Sequence, residues 1–258
     1  MNMGLPVTPP SLWDDLKAAY GFFIGHFGEF ARAASVPFVL MVAVSGLSLI
    51  WPNTGGVTIL SGFINSFLLG MFAVAWHRFH LTGQIPRPRF GADEAVYAVY
   101  LLFIGFLPGL GVIFGLLLSP FGMMAMAMAI IVGFFVVLPM VFRLSIGFPA
   151  TAVNWPNSPV ERITAAWGWS KGETGRFVGG GMLLFLLLIF FMAPATLLQS
   201  TIFTNGWEGD SKRIGEYGVI MLASAAQLAG WAVYATFYDL QFMRLSGWRP
   251  GGGDGGRG

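Results

Sequence analysis

Long apolar runs alternate with short polar breaks along this chain, and six of them approach the length of a bilayer crossing. They cover 33–51, 57–76, 95–118, 121–142, 177–199 and 217–239. A helix needs about 20 apolar residues to cross a hydrocarbon core about 30 Å thick, so each run predicts one transmembrane helix. Within the runs apolar residues follow one another without a break, where the strands of a membrane barrel would alternate apolar with polar. Only Ser119 and Pro120 part the third run from the fourth, and a tight helical hairpin is the expected join. The fold class is therefore all-α: a six-span bundle forming one integral membrane domain over 1–258.

Two polar–apolar segments lie outside the runs. In 11–32 the residues Leu12, Leu16, Tyr20, Phe23, Phe27 and Phe30 recur at steps of three and four, with Asp14, Lys17, His26, Glu29 and Arg32 mainly opposite. That spacing predicts an amphipathic helix, with Ser11 as its N-cap. Two placements suit it equally: flat in the headgroup region, or packed across the ends of the spans. The segment 158–175 opens Ser158-Pro159-Val160-Glu161, a capping box with proline at the first helical position. A shift that carries Ser11 onto Ser158 also carries Ala18-Ala19 onto Ala165-Ala166, Gly25 onto Gly172, Phe30 onto Phe177 and Phe38 onto Phe185. The expectation is a parallel internal repeat, each unit being an interfacial helix followed by two spans, with the third and fourth spans between the units.

Composition agrees with a membrane environment. Hydrophobic residues make up 55% of the 258 and charged ones 10%, against roughly 25% charged in soluble domains, and mean hydropathy is +0.70. So few charges exclude a soluble globule and a disordered chain, and a net charge of +2 gives no footing for nucleic acid. With no cysteine, disulfides, thiolate metal sites and thiol nucleophiles are excluded.

Charge placement sets orientation. Of the 14 Lys and Arg, only Lys212 and Arg213 fall on the face opposite the N-terminus. The positive-inside rule then puts both termini in the cytoplasm. Residues 1–20 lack a basic n-region and an apolar core, so no cleavable signal peptide is expected. The first span would serve as insertion signal, in a bacterial inner membrane. The stretch 240–258, rich in glycine, is expected to be a flexible cytoplasmic tail.

Several short segments carry a resemblance. Ala75-Trp76-His77-Arg78-Phe79 with Leu81 and Gly83, then Arg89-Phe90-Gly91, close the second span and enter the third. Phe142-Arg143-Leu144-Ser145-Ile146-Gly147-Phe148-Pro149-Ala150 follows the fourth, and Ala166-Trp167 with Ser170-Lys171-Gly172 precedes the fifth. These segments resemble an uncharacterised family of alphaproteobacterial six-span membrane proteins. That family is similar in plan to the membrane domain fused to some glycerophosphodiester phosphodiesterases. Asp93-Glu94 departs from the basic residues expected at the third span's entry. The resemblance implies a six-span plan and carries no activity.

Candidate chemistry is sparse. Ionisable groups inside a bilayer are costly and commonly functional, yet no run carries one near its centre, and Glu216 and Asp239 border the sixth run where they can reach an interface. Proton-relay positions therefore read as empty, and catalytic residues, metal ligands and cofactors are not expected. The basic cluster His77, Arg78 and His80, with Arg143, is the candidate contact for anionic lipid headgroups; otherwise these residues anchor helix ends. Asn65 and Gln227 are the deepest polar side chains, read either as an interhelical hydrogen-bonded pair between the second and sixth spans or as a polar point on a substrate path. Gly105-x-x-x-Gly109 and Gly111-x-x-x-Gly115 around Pro108, and Ala125, Ala129 and Gly133, suit close helix packing within the hairpin or between two copies.

The expected role is a membrane scaffold or accessory subunit without catalysis of its own. Its partners would be the bilayer and either a second copy or another membrane protein. One alternative is a transporter or channel for a lipid or small neutral solute; another is a lipid-headgroup enzyme at the cytoplasmic rim.

Overall fold

The computed structural model describes residues 10–51, 55–117 and 122–250. It is 85% helix, without strands among the described residues. The described residues form nine helices in order: α1 (Leu12–Gly25), α2 (Phe27–Ile50), α3 (Gly55–Thr82), α4 (Ala92–Leu117), α5 (Met123–Leu144), α6 (Gly147–Ala152), α7 (Pro159–Trp169), α8 (Thr174–Thr204) and α9 (Gly209–Ser246). Among the described residues, five stretches are long and apolar enough to cross a membrane: α2, α3, Phe135–Ala152, α8 and α9.

Helix ends follow local chemistry. The Ser11 hydroxyl and backbone N–H donate to Asp14 while the Asp14 N–H donates back to Ser11, a closed capping box. Those bonds hold the Asp14 carboxyl below its ordinary range. At the other end α3 and α9 stop at Gly83 and Gly247, both at φ +71°, the left-handed turn that glycine enters without steric cost. The first break falls at His26, whose Nδ1 meets the Phe22 carbonyl at 2.9 Å. The boundary expected after Arg32 therefore moves back, and 27–32 belong to α2. Likewise the segment 158–175 divides into α7 and the start of α8, and α9 extends well past 217–239 at both ends. With 38 residues, α9 is about 57 Å long, longer than a bilayer core.

Antiparallel pairs α2–α3, α4–α5 and α8–α9 make the bundle, and α9 is its hub, touching α1, α2, α3 and α6 as well. One end, where α3, α5 and α9 finish and α2, α4 and α8 begin, gathers most of the arginines and is called here the basic end. The largest enclosed side chains (Trp76, Tyr97, Phe148, Phe237, Tyr238 and Phe242) lie toward that end. The outer faces are oily: Phe190 is 73% exposed and Val39 63%, as expected for helices that meet hydrocarbon. The α1 helix lies against α8 and α9, with Asp15, Ala19 and Phe23 turned inward and Trp13, Tyr20 and Ile24 left outside.

The two segments aligned by the repeat dock differently: α1 lies on α8 and α9, whereas α7 lies on α5 and α6. Pro108, Gly109, Gly111 and Gly115 fall within α4 and Ala125, Ala129 and Gly133 within α5, but their packing, like the Ser119-Pro120 join and the tail 251–258, lies outside what the structure describes. Gly105 is described, and a Cβ built on it meets nothing within 4 Å.

Candidate functional site

Polar side chains concentrate at the basic end, and they are enclosed. Asp239, expected near an interface, has no exposed surface. It sits one face of α9 inward, between two imidazoles of α3: His77 Nδ1 lies 2.5 Å from Asp239 Oδ1 and His80 Nδ1 lies 2.9 Å from Oδ2. His77 and His80 are three residues apart, hence on one helix face, which aims both rings at the same carboxylate. The far nitrogen of His77 meets the Tyr97 hydroxyl of α4 at 3.0 Å. Each carboxylate oxygen of Asp239 thus has one imidazole nitrogen within hydrogen-bond reach, and His77 bridges it to Tyr97. Three helices are thereby joined through one acidic side chain. The expectation that buried relay positions are empty is corrected: a histidine–carboxylate pair lies at the core of this end, and residue spacing alone could not bring α3 and α9 together.

Aromatic rings seal the cluster. Trp76 Nε1 donates to the Ala232 carbonyl and to Thr236 Oγ1, each at 3.0 Å, fastening α3 to α9 one turn below. Phe22 of α1 meets the His80 ring edge-on, with centroids 4.5 Å apart, and stacks on His26 at 4.1 Å. Both α1 and the wholly buried α6 thus close this end.

A second network ties α1 down. The Arg176 guanidinium of α8 pairs with Asp15, Gln241 Nε2 donates to the same carboxylate at 2.6 Å, and Arg244 donates to Gln241 Oε1 at 2.6 Å. Glu173 lies 3.6 Å from Arg244. An acidic residue on the inward face of an amphipathic helix looks misplaced in the sequence; its partners on α8 and α9 explain it.

The basic residues expected to act together point in different directions. Arg78 donates to the Ala152 carbonyl at 2.8 Å and pairs with Asp93 at 2.5 Å and Glu94 at 3.3 Å, so the acidic pair that departs from the resemblance neutralises it. Arg143 stands 3.7 Å over the Trp167 ring and donates to Ser170 Oγ and the Trp167 carbonyl, holding α7 onto α5. His77 and His80 meet at Asp239, while Arg78 and Arg143 are engaged elsewhere. A cavity of about 500 Å³ beside Arg78 is walled by Gln84, Arg87 and Arg89. Among the described residues, no group of three His, Asp or Glu is arranged to hold a metal ion.

The α5–α6 junction shows why the segment from Phe142 to Ala150 has its composition. Tyr100 donates to the Leu144 carbonyl and Tyr234 to Ser145 Oγ, both at 2.5 Å. A Cβ on Gly147 would lie 2.5 Å from the Tyr100 hydroxyl oxygen, so glycine is required for that approach. Phe148 packs its ring against Tyr97, Tyr100 and Trp231.

The other half of the bundle is looser. Asn65 Nδ2 donates to Ser45 Oγ of α2 at 3.1 Å, and its Oδ1 is buried without a partner. Asn65 and Gln227 line one cavity of about 360 Å³ with Ser45 and Ser224, but the hydrogen bond of Asn65 goes to α2, not to Gln227. Toward the far end Val219 and Ile220 also wall a cavity of about 500 Å³ with Lys212, Glu216 and Gln199. Toward the basic end Leu188 and Trp231 also wall an apolar slot of about 240 Å³ that ends at Tyr234 and Phe148. Comparison of the chain with known protein families, with curated proteins and with solved structures gives no match.

Proposed function

We propose that this chain is a multi-pass inner-membrane protein without catalysis of its own, serving as a membrane scaffold or accessory subunit. In this reading α2, α3, α4, α5, α8 and α9 are six spans, and the basic end, with both termini, faces the cytoplasm. The observation that carries it is the pairing of buried charge. Asp239 takes His77 and His80, Glu94 takes Arg78, and Asp15 takes Arg176. Each pair joins different helices, so the expensive intramembrane charges fasten the bundle. None of the three lines the cavities around Asn65 or Trp231. The α1 helix, with Trp13 and Lys17 outward, supports contact with anionic headgroups, whose source is the lipid surface.

The test is an activity screen of purified protein against phospholipids and soluble phosphodiesters. No turnover above a buffer blank is expected. Hydrolysis or transfer abolished by a single change at His77, His80 or Asp239 would overturn the reading. Reporter fusions at residue 250 and in the 205–208 turn check orientation: the first should read cytoplasmic and the second exported.

A second reading, passage of a lipid or small neutral solute, is favoured by the series of cavities that runs past Asn65 and Gln227. Scrambling of labelled lipid in proteoliposomes, lost in an Asn65→Leu, Gln227→Leu double variant, would support it.

A further inference from the structure

The three cavities along α9 share walls and change character in order. The outermost holds Lys212 and Glu216, the middle one Asn65 and Gln227, and the innermost, among the described residues, apolar and aromatic side chains with glycine. Among the described residues no Asp, Glu, Lys, Arg or His lines the inner two, and a charge there would be held without a counter-charge in hydrocarbon. From Ile220 to Tyr234 α9 rises about 21 Å, more than one leaflet of a hydrocarbon core about 30 Å thick.

In the middle cavity one atom of the Asn65 amide is left over. Nδ2 has Ser45, and Oδ1 is buried with nothing to accept from. Exchanging the amide oxygen and nitrogen does not cure this: Ser45 then satisfies the oxygen and the nitrogen is left without an acceptor. Lipid tails supply neither donor nor acceptor. A ligand whose polar end both donates and accepts, such as a hydroxyl or an amide, would supply the missing group in either orientation of the amide. The adjoining slot opens beside Gly105, where a side chain would meet nothing within 4 Å, and its walls (Leu101, Ile104, Leu184 and Leu188) suit a hydrocarbon chain.

We propose that the middle and inner cavities form one site for an uncharged amphiphile, with its hydroxyl- or amide-bearing end at Asn65 and its hydrocarbon chain in the slot beside Gly105. The proposal gives a ligand class to the second reading above, and it requires binding only. Lipid scrambling tests movement separately, so a protein that binds and moves nothing leaves this site standing.

The experiment uses the full chain in nanodiscs of phosphatidylethanolamine and phosphatidylglycerol, with a diazirine-tagged 1-palmitoylglycerol as probe. Crosslinks are mapped by mass spectrometry at pH 8. Labelling is expected on the slot walls around Leu184 and Trp231, and excess untagged 1-palmitoylglycerol should compete while palmitate anion should not. Gly105→Phe should cut slot labelling at least tenfold and Asn65→Leu at least fivefold. Labelling of the lipid-facing Phe190 and Leu197, 73% and 68% exposed, should stay constant and report an intact fold. Slot labelling indifferent to both variants, equal competition by palmitate, or labelling confined to the outward residues would overturn the proposal.

Discussion

The basic end and the opposite half of the bundle solve the problem of polar groups in an oily chain in different ways. At the basic end charges are present and paired: Asp239 with two histidines, Asp15 with Arg176 and Gln241, Glu94 with Arg78. Rings and α6 fill the space between them. In the other half charge is confined to the far end, at Lys212 and Glu216, the polar groups around the middle cavity are neutral, and Asn65 keeps a buried atom without a partner. Paired charge gives fixed geometry, whereas an unpaired amide beside open volume gives a place for something else. The first half reads as a fastening and the second as a receptacle.

Substitutions should separate the halves. Asp239→Ala strands two imidazoles in the core, and breaking a buried pair in this way costs about 3 kcal/mol or more; equilibrium unfolding in mixed micelles should read that loss. Asp15→Ala removes the acceptor of Arg176 and Gln241, a loss of about 2 kcal/mol for charge-assisted bonds. It should free α1 and speed tryptic cleavage after Lys17 at least tenfold. Gly147→Ala forces its Cβ against Tyr100 and should cost about 1–2 kcal/mol by overpacking. The same change at Gly62 in the looser half meets nothing within 4 Å and should gain about 0.5 kcal/mol from backbone entropy. The smallest effect belongs to Asn65→Leu. An interhelical hydrogen bond in a membrane averages about 0.6 kcal/mol, and here its loss is offset by removal of an unpaired atom, so stability should hardly move. A drop as large as that of Asp239→Ala would erase the distinction between the halves.

Much of the frame could be read from residue order. Continuous apolar runs gave helices, and Ser11 and Ser158-Pro159 marked two starts, whereas the second run, ended at 76, continues as α3 to Thr82. What escaped reading was long-range pairing. Asp239 looked like an interfacial residue because the run containing it ended there, but α9 continues to Ser246 and carries it inward. The inward Asp15 was hidden for the same reason, its partners lying on α8 and α9. Arg78 and Arg143 resembled a shared anion site because nearness in charge was visible, while the acceptors that engage them (Asp93, Glu94, Ala152 and Ser170) depend on how helices dock. The short α6 lies beyond the fourth apolar run, which ended at 142, and its six residues are too few to show a helical period.

Whether the enclosed acid fastens α3 to α9 is tested most directly by a double-mutant cycle on His77 and Asp239. Alanine at each position alone and at both would be read by equilibrium unfolding in one micelle composition. The expected coupling is above about 1.5 kcal/mol, as for hydrogen bonds to a charged group. Additivity within about 0.5 kcal/mol, the behaviour of independent sites, would contradict it.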